Sequence, residues 1–213
     1  MFTRNLIFCL ALLPAIAHAQ DAKVLTKQYD DGGIYEGTFK NGLQNGTGTY
    51  RLPNGYEYTG AWVDGEIKGE GVARFPNGLR YEGAFRNAKH HGKGVMQSPG
   101  GYEYKGDWVD GVKQGVGTIT YPDGAVYDGE IANGERDGTG TLTMPDGLVY
   151  AGKWVNGQIE GDGKLTQPNG DIYEGDLVAG RREGKGRVTY ANGDVYEGDF
   201  KDDRRDGTGT FIG

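Results

Sequence analysis

Few residue types in this chain of 213 residues could support chemistry. His90 and His91 stand side by side in what reads as a turn. Imidazole is a metal ligand and a general base, but a metal site needs three or four converging donors, and no cysteine or third histidine stands near. The single cysteine is Cys9, inside the first segment of the chain. No Ser/His/Asp or Cys/His set can be drawn. The Gly-Lys-Gly stretches at 92–94 and 184–186 lack the Ser or Thr of a phosphate-binding loop and open no helix. The chain is therefore not expected to be an enzyme, and no catalytic residue, metal or cofactor is predicted.

Two other sets are suited to binding. Arg181 and Arg182 recur 23 residues later as Arg204 and Arg205, with Lys185 and Arg187 nearby, and form a candidate anion site. Glu183, Asp203 and Asp206 are intermixed with them, so a solvated turn edge is the competing reading. Trp62, Trp108 and Trp154 recur every 46 residues, and Phe39, Phe85 and Phe200 fall at the same repeat position. Tryptophan is enriched at interaction hot spots, so these six form a candidate binding face, a row of flat anchors for a protein segment or a glycan. The alternative is that they are packed residues of the fold.

The elements that position these residues are dictated by a strict period. Tyr35, Tyr58, Tyr81, Tyr104, Tyr127, Tyr150, Tyr173 and Tyr196 are each 23 residues after the last, with no insertion or deletion. With that tyrosine as first position, glycine fills the third, twelfth and fourteenth positions of all eight units. The first, third and fifth positions share one strand face, as do the twelfth, fourteenth and sixteenth. The fifth position is always apolar and mostly aromatic, and the sixteenth is never charged. Asn41-Gly42 and Asp64-Gly65 are turn signals within units, and Pro53-Asn54-Gly55 is one between units. Each unit therefore reads as one β-hairpin. The glycines leave gaps over the backbone across which a ring of the adjacent strand can lie. The predicted fold is all-β, an elongated single-layer antiparallel ribbon of tandem hairpins. Glu36, Glu82, Asp107, Asp128, Glu130, Glu174, Asp176 and Glu197 fall on its opposite, solvated face.

Composition agrees with such a ribbon. Glycine takes 41 residues, against 14 Tyr and 3 Trp that supply apolar surface. The net charge of −7 excludes a general nucleic-acid binder, which needs a cationic surface to release phosphate counterions. Residues 1–19 read as a signal peptide: Arg4 is the positive region, an apolar run follows, and Ala17-His18-Ala19 supplies the small residues before cleavage. Export to the periplasm or beyond the cell is expected. Residues 20–34 read as an N-terminal cap strand, and 35–213 as the eight units, the last one incomplete. The final strand, placed at Gly207 to Ile212 with Arg205 and Asp206 just before it, offers an uncapped edge. A weak homodimer through that edge is expected.

The pattern Tyr35-Glu36-Gly37-Thr38-Phe39, Asn41-Gly42, Gly46-Thr47-Gly48 resembles the MORN (membrane occupation and recognition nexus) repeat, as do 81–85 and 196–200. The resemblance covers residues 35–213. It implies an elongated β-ribbon that serves as a protein-interaction scaffold, with lipid as the other partner class. The expected partner is a protein segment held on an aromatic concave face; anionic lipid, and an envelope glycan suggested by the aromatic row and the extracytoplasmic address, are the alternatives. Ala88 and Asp203 depart from the repeat at the eighth position, where they would disturb the turn, and Ile131 and Leu177 replace the fifth-position aromatic. Repeat-bearing phosphoinositide kinases share the motif, but this chain has no room for a kinase domain.

Overall fold

The computed structural model describes residues 23–213, so the segment read as a signal peptide lies outside the described residues. Seventeen strands, from β1 (Leu25–Gln28) to β17 (Arg204–Ile212), form one antiparallel sheet. Every pairing joins strands that are consecutive in the chain. No helix occurs among the described residues. The first unit is the hairpin of β2 (Ile34–Lys40) and β3 (Leu43–Arg51), and β4 (Glu57–Val63) with β5 (Glu66–Arg74) forms the second. Seven-residue and nine-residue strands alternate in this way to the end.

Turn chemistry sets the hairpins. Asn41 and Gly42 both lie in the left-handed region, with φ of 52° and 81°. Such a two-residue turn matches the twist of the strands it joins. Ala88 and Asp203 do not disturb it, contrary to expectation: their φ values are 57° and 65°, at a cost of roughly 1 kcal/mol relative to glycine. From the second unit on, each turn is also fastened to the preceding unit. The Gly65 N–H donates to the Gln44 carbonyl at 2.9 Å, and the Asp64 N–H to Asn45 Oδ1 at 3.3 Å. Gln114, Asp137 and Glu183 serve later turns as Asn45 serves this one. Between units, Asn54 Oδ1 accepts the Tyr56 N–H at 2.9 Å, and Gly55 takes the left-handed position.

Within each hairpin the register shifts once. Gly37 faces Gly48, but Phe39 faces Gln44, so Thr38 alone opposes Asn45, Gly46 and Thr47. The bulge presents the Thr38 carbonyl, and Tyr35 Oη donates to it at 3.0 Å. Tyr58 does the same to Ala61 at 3.0 Å, and Tyr104 to Asp107 at 2.8 Å.

The core is made inside the single layer. Third- and fourteenth-position glycines face one another on every strand pair from β2–β3 on, as Gly37–Gly48–Gly60–Gly71 begin to show, and the line runs on to Gly198–Gly209. The first-position tyrosine lies over its own strand's glycine and reaches across to the partner's. A Cβ on either Gly60 or Gly71 would stand 2.5 Å from Tyr58 ring or hydroxyl atoms. The ring thus covers two facing glycines of its own hairpin, rather than only a gap left by the adjacent strand. From Tyr35 to Tyr150 these side chains are 0% exposed. Fifth-position rings then meet them edge to face, with Trp62 5.1 Å from Tyr35 and 5.6 Å from Tyr58 between centroids.

His90 belongs to this core. Both histidines lie on strand β7 (Lys89–Gln97) rather than in a turn, and successive strand residues point to opposite faces. His90 stacks on Tyr81 at 3.7 Å and meets Trp108 at 5.1 Å, and burial pushes its pKa down to about 4. His91, on the other face, accepts the Asp110 N–H at 3.4 Å. The pair therefore shares no site.

The Gly–Tyr stacking predicts the effect of filling a gap. A Cβ on Gly106 would stand 2.7 Å from both Gly117 Cα and Tyr104 Cζ. Gly106→Val should cost about 3 kcal/mol in denaturant unfolding. Hydrogen exchange should quicken near strands Glu103–Val109 and Val112–Thr120 while distant units keep their protection. Uniform loss of protection in all eight units would contradict the nearest-neighbour architecture.

Candidate binding face

Strand alternation gives the sheet an aromatic face and a charged face. The charged face holds the ion pairs: Arg51 with Glu57 at 2.8 Å, Arg74 with Glu57 at 3.3 Å and Lys93 with Asp107 at 2.7 Å. Pairs this exposed contribute little to stability, but they neutralise one another along the ladder.

The aromatic face is not the row of open rings expected from the sequence. Trp62, Trp108 and Trp154 are 6%, 3% and 2% exposed, Phe85 and Phe200 are buried, and Phe39 is partly buried. The indole N–H groups of Trp62, Trp108 and Trp154 donate to the carbonyls of Gly48, Gly94 and Gly140 at 3.2, 3.3 and 3.2 Å. Rings held edge-on, with their polar atoms satisfied, are packing residues and do not present flat faces for a glycan to stack on. The first-position tyrosines are likewise interior. Burial raises the phenol pKa of Tyr81, Tyr127 and Tyr173 to about 12 and pushes those of Tyr58 and Tyr104 up as well.

The face is surfaced by residues that the repeat pattern did not single out. The tenth position of each unit lies opposite the fifth, as Gln44 faces Phe39, Ile67 faces Trp62 and Lys113 faces Trp108. In chain order these residues are Gln44, Ile67, His90, Lys113, Arg136, Ile159, Arg182 and Arg205. Four are cations lying on the rings. Lys113 Nζ is 4.8 Å over Tyr102 and 5.3 Å over Tyr104; the Arg136 guanidinium is 4.1 Å over Trp154. Arg182 is 5.4 Å over Phe200 and Arg205 4.8 Å over Tyr196. Their charged groups lie over the rings, and each contact contributes about 0.5–1 kcal/mol. The tenth position has the same parity as the twelfth, fourteenth and sixteenth, and that signal could have placed it on this face.

The four arginines expected as one anion site are divided. Arg182 and Arg205 lie on the aromatic face, whereas their neighbours Arg181 and Arg204 point the other way, Arg181 to pair with Asp202 at 2.9 Å. Arg182 is itself paired with Asp203 at 3.3 Å. Among the described residues, no group of three or more His, Cys, Asp or Glu side chains is arranged to hold a metal ion.

Known proteins now place the chain. The MORN repeat matches eight segments, residues 35–55, 58–80, 81–101, 104–126, 127–149, 150–172, 173–195 and 196–213. No curated protein matches it. Among solved structures, the G-box domain of the microcephaly protein CPAP is similar at a TM-score of 0.57 and 14% identity, over 89% of this chain and 98% of that one. The TCP10 domain of Danio rerio CPAP, in complex with a STIL peptide, gives 0.47 at 16% identity, over 83% and 84% of the two chains. The TCP domain of Drosophila melanogaster SAS-4, in complex with a proline-rich motif of Ana2, gives 0.43 at 14%, over 78% and 96%. The first of these likenesses is one of fold. The repeat matches cover nearly all of residues 35–213, and the chain belongs to the MORN-repeat family.

Proposed function

We propose that this protein is an exported, non-enzymatic scaffold that holds a protein segment against its aromatic face. The observation that carries the reading is the regular repetition of the sheet from unit to unit. Tyrosine and glycine ladders hold every unit in the same attitude, so the same kind of contact is offered again at each 23-residue step. A surface of that kind suits an extended polymer chain better than a small substrate, which needs convergent groups in a pocket. Between the cations the face is lined by partly buried apolar residues such as Met96, Leu142 and Leu165, the chemistry of a protein-binding groove. Export rests on residues 1–19 and puts the partner outside the cytoplasm.

Leu142 lies in a groove with Arg136, Trp154 and Ile159 and serves as the probe. In crosslinking within the native compartment, the wild-type chain should capture polypeptide, and Leu142→Glu should lose that capture while keeping its melting temperature within a few degrees. Thr118→Glu, on the charged face, should keep it. Retention on purified cell-wall polymer or anionic vesicles in place of polypeptide would overturn the protein-scaffold reading.

A second proposal rests on β17. All nine of its residues are exposed, Phe211 at 53%, and among the described residues its only strand neighbour is β16 (Val195–Lys201). The strand begins at Arg204, so Arg205 and Asp206 fall within it and not before it, and Gly207 to Ile212 carries no charge. We propose that two such edges pair antiparallel in a weak homodimer. Light scattering at high concentration should show association in the wild-type chain and a folded monomer for Thr210→Lys. A strict monomer before any mutation would refute the dimer.

A further inference from the structure

The protein is acidic overall, with a net charge of −7, yet its aromatic face is not. The residues that form that face occupy the first, third, fifth, tenth, fourteenth, sixteenth, eighteenth and twenty-second positions of the repeat. The first seven of these positions are never Asp or Glu. The twenty-second, where Tyr102 lies beneath Lys113, holds Asp171 and Asp194 in the sixth and seventh units, in the groove beside Tyr190 and Arg205, and Asp203 stands in a turn beside Arg182. The cations are also distributed unevenly. The tenth position is neutral in the first two units and holds the uncharged, half-buried His90 in the third. From the fourth unit on it holds Lys113, Arg136, Ile159, Arg182 and Arg205. Among the described residues, Lys113, Arg136 and Arg205 make no salt bridge, and only Arg182 has a carboxylate partner. Their other contacts are neutral: Lys113 donates to the Tyr102 hydroxyl, and Arg136 to the Gly157 carbonyl at 2.7 Å.

We infer that the C-terminal half of the aromatic face selects an acidic segment of a partner protein, its carboxylates meeting Lys113, Arg136, Arg182 and Arg205 and an apolar side chain meeting Ile159. The inference rests on the scaffold reading and supplies the chemistry of its partner. Geometry sets the spacing. One unit is two strands, roughly 10 Å along the sheet. A segment in the polyproline II conformation advances about 3.1 Å per residue with three residues per turn, so every third side chain returns to one face. Successive tenth-position residues therefore meet every third residue of such a segment running along the sheet. The complementary pattern is acid, two residues, acid, two residues, apolar, two residues, acid, two residues, acid. Guanidinium groups held on rings lose little further freedom on binding, and they present planar donors that match carboxylates.

The probe is a 13-residue peptide with Glu at its first, fourth, tenth and thirteenth positions and Leu at the seventh, the spacing that follows from the sheet and polyproline II geometries. Binding to the full chain is read by fluorescence anisotropy across a salt series. The peptide should bind more tightly than a scrambled peptide of equal charge, and its affinity should fall with salt. Arg205→Gln, an exposed change, should weaken it about tenfold, and Arg136→Gln with Arg205→Gln more than that. Lys105→Gln and Lys164→Gln, on the charged face, should leave it unchanged. Equal binding of the scrambled peptide, or no effect of Arg205→Gln and of the double variant, would overturn the inference. So would equal or better binding to heparin or to phosphatidylserine vesicles, which would assign the cations to another polyanion. If Leu142→Glu abolishes capture of polypeptide but the acidic peptide does not compete for the same face, the scaffold reading stands and this inference falls.

Discussion

A sheet one layer thick has no second layer against which to bury its side chains, and the tyrosine laid across two facing glycines meets that constraint within the layer. Strand glycines cost roughly 0.5–1 kcal/mol each relative to alanine. A ring fully removed from water contributes about 2 kcal/mol, and its hydroxyl gains a partner in the bulge carbonyl. The balance favours the arrangement only because each ring covers both glycines and is then covered in turn. Trp62 leans on Tyr35 and Tyr58, and His90 lies on Tyr81. Each unit therefore completes the core of its neighbours. β17, whose one strand neighbour among the described residues is β16, is exposed at all nine positions.

Much of this was legible in the sequence because the constraint is periodic. Only glycine fits beneath the ring, so the third and fourteenth positions are invariant along the array, and the tyrosine marks the phase. The hairpins followed from Asn41-Gly42 and its equivalents, whose turn demands positive φ at both residues. The strength of that demand is visible where the signal fails: Ala88 and Asp203 still take the left-handed conformation, because the preceding unit holds the turn by its backbone. The bulge was not legible. It lies between Gly37 and Phe39, where nothing in the side-chain pattern reports that one residue opposes three.

The binding surface was read less well, for a physical reason. Fifth-position tryptophans look like anchors because a single sheet seems unable to hide them, but that expectation omits the tenth position. In the sequence Arg182 and Arg205 suggest an anion site or a solvated turn edge, and Lys113 and Arg136 do not stand out. In the fold the charged groups of all four lie over the rings. Long cations thus act as the missing second layer. This makes one side of an acidic protein cationic and apolar, with Asp171, Asp194 and Asp203 beside its last two cations and most other carboxylates on the opposite side. Adjacent residues with the same chemistry, such as Arg181 and Arg182, then have different fates, because a strand sends one to each face.

Alkaline titration of the tyrosines, followed together by phenolate absorbance and by circular dichroism of the sheet, tests the glycine–tyrosine core most directly. A phenol whose pKa is raised by folding holds its proton more tightly in the folded chain than in the unfolded one. Its contribution to stability is therefore whole below about pH 10 and declines as pH rises above it. Burial raises the pKa of all seven first-position tyrosines from Tyr35 to Tyr173. Their phenolate absorbance should appear together with loss of the sheet signal, in one cooperative step above the range of exposed tyrosine. Ionisation of all 14 tyrosines near pH 10 with the sheet intact would show that the rings do not form the core.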